Sequence, residues 1–83
     1  MTDPFLITAT SNGETREFEA QLQLMGYTHR FSVKLNDIPL FFERDEEGRY
    51  RAIVSMEELD KHQLAKDKHW LPAIAAAIEE ILA

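Results

Sequence analysis

Apolar and polar residues alternate at every second position over most of the stretch 15–35. The apolar positions of its first half carry even numbers, and after residues 25–26 the pattern resumes on odd numbers. Successive side chains of a β-strand point to opposite faces of the sheet, so this alternation is typical of strands with one buried face. It predicts two half-buried antiparallel strands joined near residues 25–26.

An Asn-Gly pair at 12–13 and an Asn-Asp pair at 36–37 predict tight hairpin turns on either side of these strands. Both central residues of a type I′ turn need a positive φ, which glycine, asparagine and aspartate tolerate best. Two-residue turns at these positions place apolar residues opposite apolar residues, as in the predicted pair Ile7 and Phe18. A slip of one residue would move every side chain to the other face, so this agreement supports the register.

A further turn is predicted at 25–26, with Leu22 opposite His29 across it. Methionine rarely adopts a positive φ, so a wider loop with the same register is an equal alternative. The last turn is predicted within 45–48, where Gly48 is the left-handed residue of a bulged turn. These turns together predict an antiparallel meander of four to five strands.

The last third of the chain changes from a period of two to helical spacing. Ser55 and Glu58 have the spacing of a capping box, which predicts a short helix near 56–65. Pro72 occupies the predicted first position of a C-terminal helix, whose isoleucines recur every three or four residues. We therefore expect an α+β fold in a single domain over 1–83, with the C-terminal helix packed on one face of the sheet.

Composition narrows the classes of function. The chain has 83 residues, 15 of them acidic and 9 basic, and a net charge of −6. Nucleic-acid binding and docking to an anionic membrane both need clustered basic residues, so we expect neither partner. The chain has no cysteine, which excludes disulfides and thiol chemistry. Its first residues lack a signal-peptide pattern and no apolar run has membrane-spanning length, so we expect a cytoplasmic protein.

No arrangement typical of catalysis or of a bound cofactor stands out. The three glycines are isolated, so there is no phosphate-binding loop, and there is no Gly-x-Ser-x-Gly sequence. Glu58 and His62 would share a helix face, but two ligands without a third make a weak metal site. The acidic residues within 43–47 lack the spacing of a calcium loop. We expect a protein that is not an enzyme and binds no metal or other cofactor.

One small polar cluster is predicted at the rim of the core. His29 lies on the apolar parity of its strand, and the predicted register brings Arg44 and Tyr50 near it. A histidine in this position more often forms a local hydrogen bond than a ligand site, because no nucleophile or metal spacing accompanies it. The alternative is a small-ligand pocket between helix and sheet, lined by these three side chains.

The fourth predicted strand is apolar on both faces, unlike the two before it. Phe41 breaks its alternation, Ile53 lies opposite on the outer face of the sheet, and Pro39 is close by. A strand with two apolar faces is usually covered on both, whereas one C-terminal helix covers only one. Either the 56–65 segment or residues around Trp70 cover the second face, or these apolar residues belong to an interface.

The sequence therefore favours a non-catalytic domain that binds protein, either as a homodimer or with an unidentified partner. The contact is expected on the outer face, at Phe41, Ile53 and Pro39, or along the edge strand 50–55. Trp70 is expected to anchor the helix connection against the core, and an exposed interface anchor is its alternative role.

Overall fold

The computed structural model describes residues 3–82, which form one five-stranded sheet and two α-helices. The elements are β1 (Phe5–Ser11), β2 (Glu14–Met25), β3 (Thr28–Leu35), β4 (Ile38–Arg44), β5 (Tyr50–Ala52), α1 (Met56–Lys61) and α2 (Trp70–Leu82), with a 3₁₀ turn at Ala65–Asp67. The strands are antiparallel and lie in the order β1-β2-β3-β4-β5. The predicted α+β class and meander are confirmed.

Three of the four hairpin turns lie where the sequence predicts them. The φ angles of Asn12 and Gly13 are 53° and 78°, and those of Asn36 and Asp37 are 51° and 68°. Gly48 has a φ of 85°. Left-handed backbone at these positions explains why the turns use asparagine, aspartate and glycine. The pairing across these turns has the predicted register, although β5 is shorter than expected and ends at Ala52.

The turn between β2 and β3 lies one residue later than the sequence analysis places it. Gly26 and Tyr27 form the turn, so Leu24 rather than Leu22 lies opposite His29. Gly26 has a φ of 63°, while Tyr27 is not among the residues with positive φ. A type II′ turn requires glycine only at its first central position, which explains the difference. The pairing shifts by two residues, so every side chain keeps its face.

The apolar core lies between the concave face of the curled sheet and the helices. Its largest fully buried side chains are Trp70, Phe42, Leu35, Leu64, Ile74, Ile78 and Val33. Helix α2 packs on this face and contacts β1 and β5, the two edge strands. A helix beside an edge strand limits the pairing of that edge with another chain. Within residues 3–82, no helix combines the length and the apolar character needed to cross a bilayer.

Trp70 is the first residue of α2, which begins two positions before Pro72. The Trp70 side chain is 1% exposed, and its ring packs edge-on against Phe18 with centroids 5.3 Å apart. The guanidinium carbon of Arg16 lies 4.8 Å from the centroid of the Trp70 ring. Trp70 therefore belongs to the core, and its alternative role as an exposed interface anchor is wrong because the ring is enclosed.

Candidate functional site

Phe41, the residue that breaks the alternation of β4, is covered by an arginine. The guanidinium carbon of Arg30 lies 4.0 Å from the centroid of the Phe41 ring. The Nε of Arg30 also donates a hydrogen bond to Oε1 of Gln23 at 2.9 Å, which holds the side chain in place. A cation over an aromatic face is attracted by the ring quadrupole. The outer face of the sheet therefore supplies its own cover for Phe41.

The segment 56–65 and Trp70 do not cover Phe41, contrary to the first of the two sequence-based alternatives. Leu59, Leu64 and Trp70 all belong to the core on the opposite face of the sheet. The physical reason is that α2 contacts mainly the two edge strands, so the core needs these additional apolar side chains. The segment therefore packs against the core on the concave face of the sheet.

Ile53 and Pro39 leave a small apolar area on the outer face. Ile53 is 45% exposed, and its N–H donates to the carbonyl of Phe41 at 2.8 Å, so these residues are adjacent as predicted. Pro39 is exposed and pairs with Lys34, whose Nζ lies 3.4 Å from a carboxylate oxygen of Glu19. This outer-face area is thus one exposed isoleucine and one proline beside a covered phenylalanine and charged neighbours.

The edge of β5 is partly occupied by α2. The backbone N–H of Tyr50 donates to Oε2 of Glu79 at 3.1 Å. Backbone donors on an edge are the groups that an added strand would use. Since β5 has only three residues, it offers less pairing than the edge strand predicted over 50–55.

His29, Arg44 and Tyr50 lie together at one end of the concave face. The Nε2 of His29 and the hydroxyl oxygen of Tyr50 are 2.7 Å apart and form a hydrogen bond. Arg44 pairs with Tyr50 in the β4–β5 ladder. Tyr50 is buried and its ring packs edge-on against Phe31, with centroids 5.6 Å apart, whereas His29 is half-buried.

Two depressions flank the hydrogen bond between His29 and Tyr50. One has a volume of about 370 Å³ and reaches Glu79 and Leu82 of α2. The other has a volume of about 380 Å³ and lies between residues 27–30 and 43–45. Both volumes fall at the lower end of the range for small-molecule sites, roughly 300–1,000 Å³. Four of the seven residues that line the 380 Å³ depression are charged, and two of the six that line the 370 Å³ depression, whereas most ligand pockets are lined mainly by apolar side chains.

The β2–β3 hairpin extends past the start of β1. Phe5, the first residue of β1, pairs with Ala20, whereas β2 continues to residue 25. Among residues 3–82, the segment 22–25 has β3 on one side and no strand on the other. Backbone groups of an antiparallel strand point alternately to its two sides, so every second residue here directs its N–H and C=O away from β3. We call the segment 22–25 the β2 overhang.

Three strongly exposed apolar side chains surround His29 at this end of the molecule. Leu24 is 75% exposed and lies opposite His29 in the ladder. Tyr27 is fully exposed in the turn and lines one of the two depressions with His29, while Leu82, 52% exposed, lines the other. Clustered exposed apolar side chains mark interaction sites on soluble proteins. We call Leu24, Tyr27, His29 and Leu82 the hairpin-end surface.

Charges of both signs border the hairpin-end surface. Arg30 and Arg44 line the depressions together with Glu43, Asp45 and Glu79. This border is nearly balanced, although the chain as a whole has a net charge of −6. A balanced border can face its own copy across a two-fold axis with cations near anions.

The acidic residues of the β4–β5 turn stabilise the turn itself. The Oδ1 of Asp45 accepts hydrogen bonds from the backbone N–H groups of Glu47 and Arg49, both at 2.9 Å. An aspartate that bonds to the backbone in this way is a common stabiliser of turns. In the part of the chain that the structure describes, no group of three histidine or acidic side chains could hold a metal ion.

A contact between serine and histidine is one that the sequence analysis missed. The Oγ of Ser11 lies 2.8 Å from Nδ1 of His69 and 3.2 Å from the carbonyl oxygen of His69. Both contacts are satisfied when the hydroxyl donates to the carbonyl and Nδ1–H donates to the hydroxyl. In this arrangement the histidine is not a base for the serine, and the pair fastens the approach to α2 onto β1.

Comparisons of the chain with protein-family models, with curated protein sequences and with solved structures find no match. The hairpin-end surface and the outer-face area can therefore be compared only by their geometry in this structure. Among residues 3–82, the hairpin-end surface has three strongly exposed apolar side chains beside a strand edge with no neighbouring strand, whereas the outer-face area has one exposed isoleucine and one proline. This difference favours the hairpin end as the site of interaction.

Proposed function

We propose that this chain is a non-catalytic protein-interaction domain whose partner at the hairpin-end surface is a second copy of itself. The observation that carries the proposal is the exposure of Leu24, Tyr27 and Leu82 around a half-buried His29. Full burial of a leucine side chain contributes about 1.5–3 kcal/mol. In a two-fold interface both copies contribute these side chains, so even a small contact buries a substantial apolar area.

A second copy fits this surface better than a strongly basic or strongly acidic partner. The bordering charges include both signs, so a two-fold contact can be arranged with cations of one copy near anions of the other. A strongly charged partner would meet like charges at part of the border. Self-association therefore uses the nearly balanced charge of this end and keeps the acidic excess of the chain away from the contact.

Molar mass measured by light scattering over a range of concentrations tests the proposal. We expect a monomer–dimer equilibrium for the wild type and for Phe41→Ser, because Phe41 lies on the other face of the sheet under Arg30. Loss of the dimer in folded Phe41→Ser would indicate that the contact lies on the outer face of the sheet. A wild type that stays monomeric at the highest attainable concentration would overturn the proposal.

A small-ligand site beside His29 is the second candidate function. The observation that favours it is the His29–Tyr50 hydrogen bond between two depressions of about 370 and 380 Å³. A thermal-shift screen of metabolites on the wild type, His29→Ala and His62→Ala tests it, because His62 is exposed and lies outside both depressions. A ligand that stabilises the wild type and His62→Ala, but not His29→Ala, would support this function over self-association.

A further inference from the structure

We propose that the second copy joins through the β2 overhang, by antiparallel pairing of residues 23–25, centred on Leu24, with the same residues of its partner. The two-fold axis passes near Leu24, and the two five-stranded sheets continue into each other. This inference rests on the proposed self-association and adds how the two copies are joined.

The first argument is the backbone edge of the overhang, which has no neighbouring strand among residues 3–82. Every second residue of 22–25 directs its N–H and C=O to the side where β1 has ended. Pro4 precedes β1 and is not part of the strand, and a proline has no N–H to offer a neighbouring strand. An edge of this kind pairs readily with another extended segment.

The composition of the overhang is the second argument, and it points to a copy of the same chain. Residues 22–25 carry no charge, whereas the part of β2 that pairs with β1 contains three glutamates and one arginine. Like charges directly opposite each other destabilise a strand pair. The overhang is therefore the part of β2 that can face its own copy without repulsion, despite the net charge of −6.

The start of β1 determines where the axis lies. Phe5 occupies the position beside Ala20, so an axis nearer the middle of β2 would place the turn of the second copy on Phe5. An axis at Leu24 places the two turn residues beside Leu22 and Gln21, just past Ala20, the last residue of β2 that pairs with β1. Leu24, which is 75% exposed in the single chain, then packs against its own copy on the face that carries His29, which lowers its exposure.

A charge-swap experiment tests this geometry. Leu24→Lys and Leu24→Glu each place like charges at the axis, so we expect each variant alone to dimerise at least roughly tenfold more weakly than the wild type. An equimolar mixture should recover a dimer of one copy of each, because opposite charges then meet. Leu6→Lys and Leu6→Glu are the matched controls, since Leu6 is 62% exposed on the outer face and should leave the dimer unchanged.

Molar mass by sedimentation, with circular dichroism as a check of folding, separates the outcomes. Weak dimers from each variant and a restored dimer from the mixture support the proposed pairing. If the wild type dimerises but the folded mixture does not, the overhang pairing is wrong and the hairpin-end contact has another geometry. A monomeric wild type overturns the proposed self-association itself.

Slower hydrogen exchange of the overhang amides provides an independent readout. We expect protection within 22–25 to increase with protein concentration, because pairing places outward N–H groups in hydrogen bonds. Unchanged exchange in a chain shown to be dimeric would contradict the strand pairing while leaving the dimer intact.

Discussion

Leu24 and His29 face each other across the β2–β3 ladder, yet only His29 is partly covered. Leu24 is 75% exposed, whereas His29 is half-buried and bonded to the hydroxyl of Tyr50. The difference arises because β5 and α2 reach the His29 side of the hairpin, while β1 ends before the Leu24 side. Leu24 is thus exposed to solvent beside His29, whose ring already has a hydrogen-bond partner.

The hydrogen bond between His29 and Tyr50 stabilises the rim of the core. Tyr50→Phe removes the hydroxyl at 2.7 Å from His29 and leaves a half-buried ring nitrogen without that partner. We expect the free energy of unfolding to fall by about 1 kcal/mol. Urea unfolding followed by circular dichroism measures the change.

Tyr27→Phe is the matched control, because Tyr27 is fully exposed in the β2–β3 turn. It removes the same hydroxyl group from a residue whose ring and hydroxyl are in water in the single chain, so the free energy of unfolding of the monomer should not change measurably. Equal free energies of unfolding for the two variants would show that the His29–Tyr50 hydrogen bond adds nothing to stability.

The carboxylate of Glu79 joins α2 to the edge of β5 by accepting the N–H of Tyr50 at 3.1 Å. Glu79→Ala should lower the free energy of unfolding by about 1 kcal/mol, since a half-buried edge donor loses its acceptor. The Tyr50 amide should also exchange faster with deuterium. Both effects are measured on the folded variant and its unfolding curve.

Glu80→Ala controls for the loss of a negative charge near the C-terminus of α2, because Glu80 is exposed. Removing either acid relieves a small unfavourable interaction with the helix dipole, but only Glu79 carries the bond to β5. Similar Tyr50 exchange in the two variants would contradict the assigned role of Glu79.

Arg30 covers the ring of Phe41, and its removal should expose that ring. Arg30→Ala is expected to cost about 0.5–1 kcal/mol and to increase binding of an apolar fluorescent dye, because the guanidinium at 4.0 Å is lost. Lys34→Ala, on the same face of the same strand, should change neither property, since exposed ion pairs contribute little. Equal dye binding by the two variants would count against the cover.

Turn chemistry explains how much of the fold could be predicted. At 12–13 and 36–37 both central residues need a positive φ, and the residues that tolerate it mark both positions. At the β2–β3 turn only Gly26 needs it, so glycine alone could not show on which side of it the turn extends. The two registers differ by two residues and place the same side chains on the same face, so the alternation could not choose between them.

The candidate site was partly predictable for the same reason. Strand register alone brings His29, Arg44 and Tyr50 together, whereas the partner of Tyr50 in α2 depends on where the helix docks. Helical periodicity predicts which face of a helix is buried but not its neighbours across the sheet. The same holds for Ser11 and His69, which are 58 residues apart.

The cover of Phe41 could have been found by considering diagonal neighbours. Arg30 lies diagonally across the β3–β4 ladder from Phe41, on the same outer face. Long side chains reach diagonal positions on a sheet, and the carbon stem of an arginine packs on apolar surface. Arginine counts as a polar residue in the alternation pattern, so the pattern does not show that Arg30 covers Phe41.

The most direct test compares the dimerisation of Leu24→Ser with that of Leu6→Ser by sedimentation equilibrium. Both variants replace an exposed leucine, at 75% and 62% exposure, but only Leu24 lies on the hairpin-end surface. We predict that the wild type and Leu6→Ser form dimers of twice the 9.6 kDa chain mass. Leu24→Ser should dimerise at least about tenfold more weakly, because each copy loses a leucine side chain that the proposed dimer contact buries. Dimers of equal affinity in all three proteins, or a wild type that remains monomeric, would contradict the proposed interface.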